Sequence, residues 1–381
     1  MRIAILTNAF PPLARGGAGN IASLQAKWLQ RRGHEVKVWV PGPFPETESD
    51  FPVEPFAPRT SLPFAKLSKT WAPMRLWFHM EDLAPNLKAV DQIRAWHPDV
   101  LLSHNLTGCG WGTPSMLQSS GLRWVHLLHD VQMFEPSGQV MYHETCNTMR
   151  KKWREFWSKR RGKALGKPDM VISPSQWLLD VHHEHGLLKD CASRVLPNPV
   201  EIPAGICETE LREPPKVIFL GRISHDKGAD VLVEAWRSCE PRLGNLVMVN
   251  DGPLAASIRQ LNDSSIQVTG LLAHGEAMVH LYSSNLLVMP SLVMENQPTV
   301  LLEAIAAGLN VVATDVGGVR ELLSGYGTIV EPGDVEALAR GIKIALSATH
   351  QTQLREQILE KHNQDKVMGE MVEVLNLCSV D

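Results

Sequence analysis

The chain has 381 residues, 44% of them hydrophobic and 20% charged, a globular composition too long for one ordinary core, so two domains are expected. No apolar run reaches membrane-spanning length, residues 1–6 read as a strand rather than a signal peptide, and six scattered cysteines without a Cys-x-x-Cys pair argue for free thiols in a reducing cytosol, against disulfides or zinc. The net charge of −4 hides a split: residues 1–200 carry 24 Lys and Arg against 17 Asp and Glu, whereas 201–381 carry 13 against 24, so an anionic partner is expected on the first half.

The first half opens with a strand at 2–6, a glycine-containing turn at Gly16, Gly17 and Gly19, and a helical pattern through Ile21, Leu24 and Trp28. A strand at 35–40 precedes the proline-rich stretch 41–63, which predicts a long irregular excursion. Residues 71–80 are aromatic-rich and read as core packing or as the cap of a cleft. Further strands are predicted at 100–103, 124–128 and 170–173. The basic stretch 150–163 holds eight Lys and Arg against Glu155 alone, which equals the whole basic excess of the first half. Trp153 and Trp157 stand one helical turn apart there, with Phe156 beside them. Lys151, Lys152, Trp153, Trp157 and Arg160 therefore form a candidate acceptor or membrane surface; the competing reading packs the aromatic face inward and leaves the cations solvated. His182, His183 and His185 fall in a helix–loop segment without a carboxylate pattern and read as solvated surface.

Near residue 200 the chain turns extended, and 203–215 is loop-like, which places the hinge. Strands follow at 216–220, 246–249, 266–269, 286–289, 310–313 and 328–330, with helical segments between most of them, and a polar-faced helix is expected over 350–375. Two successive βα series imply two doubly wound parallel sheets facing across a ligand cleft.

The chemistry concentrates at strand ends in this second series. The strand at 217–220 runs into Gly221-Arg222-Ile-Ser-His-Asp-Lys227-Gly228. Arg222 offers a planar fork of donors and Lys227 a point charge, a pairing suited to a diphosphate, although in isolation such residues are more often solvated. Glu295 stands in the loop before a helix and Glu303 inside it, with Pro298 placed as the first helical residue and Gly308 as the stop. A helix N-terminus attracts phosphates, and carboxylates accept hydrogen bonds from sugar hydroxyls, so a hydroxyl-rich anionic ligand is expected. His129 and Asp130 end another apolar run and form either a structural pair or a site; His104 is a further candidate.

Gly-Arg-x4-Lys-Gly, Asn250-Asp-Gly-Pro253, the two spaced glutamates and Ala313-Thr-Asp-Val-Gly-Gly318 together resemble the retaining glycosyltransferases of family 4, of GT-B fold. The match is dense over 195–340 and looser in the first half, at Gly16-Gly17, His129-Asp130, Ser173-Pro-Ser175 and Pro197-Asn-Pro-Val200. The resemblance implies that Arg222 and Lys227 bind the donor diphosphate and stabilise it as it leaves, and that Glu303 holds the ribose hydroxyls. Glu295 would face the transferred sugar, with Asn296, Gln297 and Thr299 completing that pocket. Gly16 and Gly17 would meet diphosphate or acceptor, and His129 the sugar near its reacting carbon.

No cofactor or metal is implied: Asp-x-Asp is absent, and Arg222 and Lys227 supply the positive charge. A Rossmann dehydrogenase is discounted, because Gly16-Gly17-Ala18-Gly19 lacks the Gly-x-Gly-x-x-Gly spacing and comes ten residues after its strand. Relatives often carry Phe-Gly where this chain has Asn296-Gln297, which leaves the sugar open. The expected domains are 1–200 for the acceptor, 201–360 for the donor, and a helical segment over 361–381 packing back toward the first. The expected partners are a nucleotide-sugar donor and a saccharide or lipid-linked acceptor, with no nucleic acid; the expected location is the cytoplasm, with peripheral contact to an anionic membrane at the inner face of the cell membrane. An epimerase or hydrolase on the same fold, and a non-catalytic nucleotide-sugar binder, are the alternatives.

Overall fold

The computed structural model describes residues 1–12, 17–44, 51–59, 71–144, 148–200, 213–239, 243–348 and 351–377. They form two compact units: Met1–Gln139, Cys146–Asn198 and Asp365–Asp381 make unit 1, and Val140–Thr145 with Pro199–Gln364 make unit 2.

Unit 1 is a seven-stranded parallel sheet of β1 (Arg2–Leu6), β2 (Glu35–Pro41), β3 (Val53–Phe56), β4 (Val100–Ser103), β5 (Arg123–Leu127), β6 (Met170–Ser173) and β7 (Ser193–Val195). Their order is β3-β2-β1-β4-β5-β6-β7, so the chain winds outward from β1, returns to β4 and winds the other way. Its helices are α1 (Gly17–Arg31), α2 (Ala72–Glu81), α3 (Leu87–Ala95), α4 (Thr113–Gln118), α5 (Thr148–Leu165) and α6 (Gln176–Glu184). Short apolar strands such as β1 and β4 are buried on both faces, as parallel strands covered by helices must be. In α1 the buried Ile21, Ala22, Ala26, Trp28 and Leu29 recur at helical spacing and pack on β1, β2 and β4.

Unit 2 is a six-stranded parallel sheet of β8 (Lys216–Leu220), β9 (Asn245–Val249), β10 (Ile266–Val268), β11 (Leu286–Met289), β12 (Asn310–Thr314) and β13 (Thr328–Val330), ordered β10-β9-β8-β11-β12-β13. Its helices are α7 (Ala229–Ser238), α8 (Ala255–Gln260), α9 (His274–Tyr282), α10 (Thr299–Ala306), α11 (Val319–Leu323), α12 (Val335–Ser347) and α13 (Thr352–Lys361). Alternate strand residues feed two cores: Ile218, Val247, Leu287 and Val311 on one face, Val217, Leu246, Leu286 and Val312 on the other.

Three local features depart from the sequence expectation. Inside the predicted excursion, Val53–Phe56 pairs with β2 as an edge strand. Pro55 is tolerated because an edge strand has a side that needs no N–H donor. The three-residue β7 was too short to leave a pattern. The terminal helix breaks after Lys361 into α13 and α14 (Gln364–Leu377), where Val200 N–H donates to the His362 carbonyl. Met368, Met371, Val374 and Leu375 of α14 then join the unit 1 core, and Trp28 Nε1 donates to Asp365 at 2.8 Å. Among the described residues no helix is long and apolar enough to cross a membrane.

Candidate active site

In unit 2 the strand order reverses between β8 and β11, so the loops leaving those two strands diverge and open a crevice at their carboxyl ends. Both charged motifs lie on these loops. The Asp226 carbonyl accepts from the N–H groups of Leu292 and Val293 at 2.9 and 3.2 Å, which binds one loop to the other. Gly228 makes that approach possible, and Gly317, in the loop after β12, lets a third loop pack against Glu295. A Cβ on Gly228, whose φ is +67°, would stand 1.9 Å from the Pro290 carbonyl oxygen, and one on Gly317 would stand 2.0 Å from that of Glu295. The motif glycines thus serve backbone-to-backbone packing of neighbouring loops.

That packing delivers Lys227 to Glu295, with Nζ 2.5 Å from Oε1. Ser291 Oγ donates to the same oxygen at 2.9 Å, and the Gly318 N–H donates to the Glu295 carbonyl at 2.8 Å. The ion pair is partly buried, so it is less screened than a surface pair. Arg222 is exposed and reaches Asp226 at 2.8 Å. Burial pushes Asp226 up, but hydrogen bonds from Ser224 and Arg222 and the charges of Arg222 and Lys227 outweigh it and hold the carboxyl below its ordinary value. Ser291 and Asp226 were not singled out from the sequence; a Ser or Asp within a loop carries no spacing signal. A strap from earlier in the chain supports the Glu295 loop: Tyr142 N–H donates to the Leu292 carbonyl at 2.9 Å, and Met294 N–H to the Val140 carbonyl at 2.8 Å.

Pro298 is the residue before α10 rather than its first helical residue, and it brings no side-chain cap to that helix start. The N–H groups of Thr299 and Val300 therefore have no intrahelical acceptor, and the helix end carries partial positive charge. Gly308, at φ +78°, follows the helix as its stop. Along α10, Leu301, Leu302, Ala304, Ile305 and Ala306 are buried, and Glu303 is half-buried among them. Its carboxylate has no hydrogen-bond partner among the described residues. Burial pushes its pKa up, against the charge of His274. Asn296 and Thr299 are half-buried beside this end, and Gln297 is buried.

In unit 1 the reversal falls between β1 and β4. Gly17 opens α1 and is exposed, while Gly16 lies outside the described residues. His104 follows β4 and His129 follows β5; their rings stack with centroids 5.0 Å apart, and His104 Nδ1 meets His129 Nε2 at 2.8 Å. Burial holds both imidazoles neutral, His129 at about 4 and His104 well below its ordinary value. One ring of the pair therefore donates and the other accepts. Asp130 accepts from Asn105 Nδ2 at 2.9 Å and from the Gln132 N–H at 2.8 Å, and burial still raises it to about 6.

The basic stretch is corrected by the structure. Lys151, Lys152, Trp153 and Arg160 are exposed, but Trp157 is fully buried and does not belong to a surface. Two of the eight cations are interior as well. Arg154 pairs with buried Glu135 at 3.5 Å. Arg161 lies over the rings of Trp111 and Trp157, at 4.7 and 5.1 Å, donates to the Gln132 carbonyl and meets His79 Nδ1 at 3.0 Å. Burial lowers Arg161 to about 10 against the charges of Asp82, Asp130 and Glu135. His182, read as solvated, is also fully buried, with Nδ1 2.8 Å from the Leu178 carbonyl. Among the described residues no group of three His, Cys, Asp or Glu side chains is placed to hold a metal ion.

Two doubly wound parallel sheets, each with its polar side chains at the switch point, define the GT-B class of glycosyltransferase fold. Sucrose-phosphate synthase from Thermosynechococcus elongatus superposes with a TM-score of 0.74 at 20% identity, covering 99% of this chain and 98% of that one. HepE of Anabaena in complex with UDP superposes with a TM-score of 0.67 at 18% identity, covering 99% and 100%. The family model for Glycosyltransferase Family 4 matches residues 15–202, and that for the group 1 glycosyl transferases matches 214–348. TuaC of Bacillus subtilis, a glycosyltransferase provisionally assigned to teichuronic acid biosynthesis, is 25% identical over 368 residues, covering 90% of this chain and 88% of its own. The chain belongs to the group 1, family 4 glycosyltransferases.

Proposed function

We propose that this enzyme transfers a sugar from a nucleotide diphosphate sugar to a hydroxyl of a saccharide or lipid-linked acceptor, with retention of configuration and without a metal ion. The setting is the assembly of a polysaccharide or glycolipid at the cytoplasmic face of a membrane. The observation that carries this reading is the Lys227–Glu295 pair, at 2.5 Å, on the two loops that flank the unit 2 switch point. A donor diphosphate competes with Glu295 for the Lys227 ammonium. Arg222, exposed and paired with the half-buried Asp226 of the same loop, adds a second cation. The N-terminus of α10 supplies N–H groups, and the open carboxylate of Glu303 accepts from ribose hydroxyls.

In the reaction, the acceptor oxygen forms a bond to the anomeric carbon on the face from which the diphosphate departs. The bond from that carbon to the β-phosphate oxygen breaks, and the acceptor proton passes to the leaving phosphate. Charge grows on the diphosphate in the transition state, where Lys227 and Arg222 stabilise it without reorganising. Glu295, Asn296, Gln297 and Thr299 are assigned to the transferred sugar. Neutral His129 is assigned to the same sugar as a hydrogen-bonding group, and Gly16 and Gly17 to diphosphate or acceptor. HepE, whose structures hold UDP, UDP-glucose, and UDP with glucose, makes uridine donors the first to try.

Thermal unfolding against UDP-, GDP-, ADP- and dTDP-sugars tests the donor site, since a ligand at about 100 times its Kd adds about 2.7 kcal/mol to native stability. One nucleotide series is expected to raise the midpoint, and Lys227→Ala or Glu303→Ala to abolish the rise. Unchanged donor affinity and turnover in both variants would overturn the site. Product NMR reads the anomer, and activity in excess chelator reads metal independence. Release of free sugar or its conversion without acceptor would instead indicate a hydrolase or an epimerase.

A further inference from the structure

We propose that α2 and the exposed face of α5 form a docking surface for an anionic lipid bilayer. Residues 71–77 are seven consecutive exposed positions, so the start of α2 shows every side to solvent before Phe78 and His79 enter the interior. Six of the seven are apolar, with Trp71 75%, Met74 47%, Leu76 42% and Trp77 48% exposed. A helix of a water-soluble protein ordinarily turns polar residues outward. Here only Arg75 is charged.

α5 repeats the pattern with charge added. Met149, Trp153 and Phe156 are exposed, among the exposed cations Arg150, Lys151, Lys152, Lys159, Arg160 and Lys163, with Glu155 the single exposed acid of that helix. The two helices are joined in unit 1 by buried contacts. The His79 ring stands edge-on to Trp157 at 5.7 Å, and Arg161 of α5 reaches His79 Nδ1. From Trp157 the ring contacts continue outward to Phe156 at 5.3 Å and Trp153 at 5.6 Å, and the Arg160 guanidinium lies over Phe156 at 4.6 Å. An apolar aromatic surface is thus held on a rigid base and surrounded by positive charge.

Charge selects the occupant. A second copy docking through the same face would set the six exposed cations of α5 and Arg75 of α2 against the same seven, a repulsive isologous contact. A bilayer with anionic headgroups offers the opposite charge at the depth where lysines and arginines lie, and an interfacial zone that favours tryptophan below it. The surface stands on its own residues; its use, to bring the enzyme to a lipid-linked acceptor, rests on the transferase reading above.

Co-sedimentation of the full chain with phosphatidylglycerol-containing vesicles, against pure phosphatidylcholine vesicles, tests the proposal. Binding is expected to the anionic vesicles alone and to fall as salt rises. Trp71→Ser with Trp77→Ser, and separately Lys151→Glu with Lys152→Glu, should each weaken it by about tenfold or more. The tryptophan variant should keep full transfer to a soluble acceptor, which separates failure of this surface from failure of the transferase reading. No binding, equal binding to neutral vesicles, or binding that neither variant weakens would overturn the proposal. So would a dimer in sedimentation velocity that the tryptophan variant dissociates.

Discussion

Lys227 meets Glu295 because two loops from different strands lie closer than any side chain at their crossing would permit. Gly228 allows that crossing, and Gly317, in the loop after β12 with φ +63° and no Cβ to strike the Glu295 carbonyl oxygen, lets a third loop seat the Glu295 backbone. Gly317→Ala would force an L-residue into the left-handed region, at about 1–2 kcal/mol, and add a clash with backbone that cannot rotate away. A loss of more than about 2 kcal/mol in urea unfolding is expected, with weakened donor binding in the fraction that folds. A variant as stable as the parent would show that the loops have room to separate. At this scale the sequence was legible where residues carry charge at a strand end, as Lys227, Glu295 and Glu303 do. It was silent at Ser291 and Asp226, whose importance lies in which atom they reach.

Elements divide differently. The stretch 150–163 reads in sequence as a basic, aromatic helix, and α5 is that helix, but periodicity alone could not say which face lies inside. The packed neighbours decide it. Trp111 and the Gln132 carbonyl receive Arg161, Glu135 receives Arg154, and Trp157 fills the space between α2 and α5. Trp157→Ala should therefore behave as a core truncation, costing about 3–5 kcal/mol. Lys152→Ala, five residues away on the same helix and exposed, should stay within about 0.5 kcal/mol. Denaturant unfolding of the two variants checks the contrast, and equal stabilities would place Trp157 at the surface after all. The edge strand β3 escaped notice for a related reason: prolines that argue against a central strand do not argue against an edge one.

At the scale of the whole molecule, unit 1 carries an unusual load of buried neutral histidines. His126 is pushed down to about 3, first by burial and then by the cost of charging it beside His182 and His129, against its bond to Ser103; His182 is pushed down to about 4 mainly by burial. Such a histidine is protonated in the unfolded chain near pH 6.5 but in the folded chain only near its lowered pKa. Stability present above pH 6.5 is therefore lost as pH falls toward about 4. Asp82 and Asp130, raised by burial to about 7 and about 6, act in the opposite sense, since the folded state takes their protons first as pH falls. Wild-type stability from urea unfolding should drop between pH 7 and pH 5, with His182 responsible for about 2 kcal/mol of that dependence. In His182→Gln that share of the slope should vanish, whatever the absolute stability of the variant; an unchanged slope would mean that His182 is not buried neutral.

The sequence by itself determined the two βα series, nearly all of their strands and the loops that bear the charged motifs, because apolar runs of strand length and glycine-bounded turns are local signals. The tertiary structure alone decided that Lys227 stands on Glu295, that His104 and His129 share a hydrogen bond, and which cations of α5 are interior. Each of those depends on distance between segments far apart in the chain, and no local pattern encodes it.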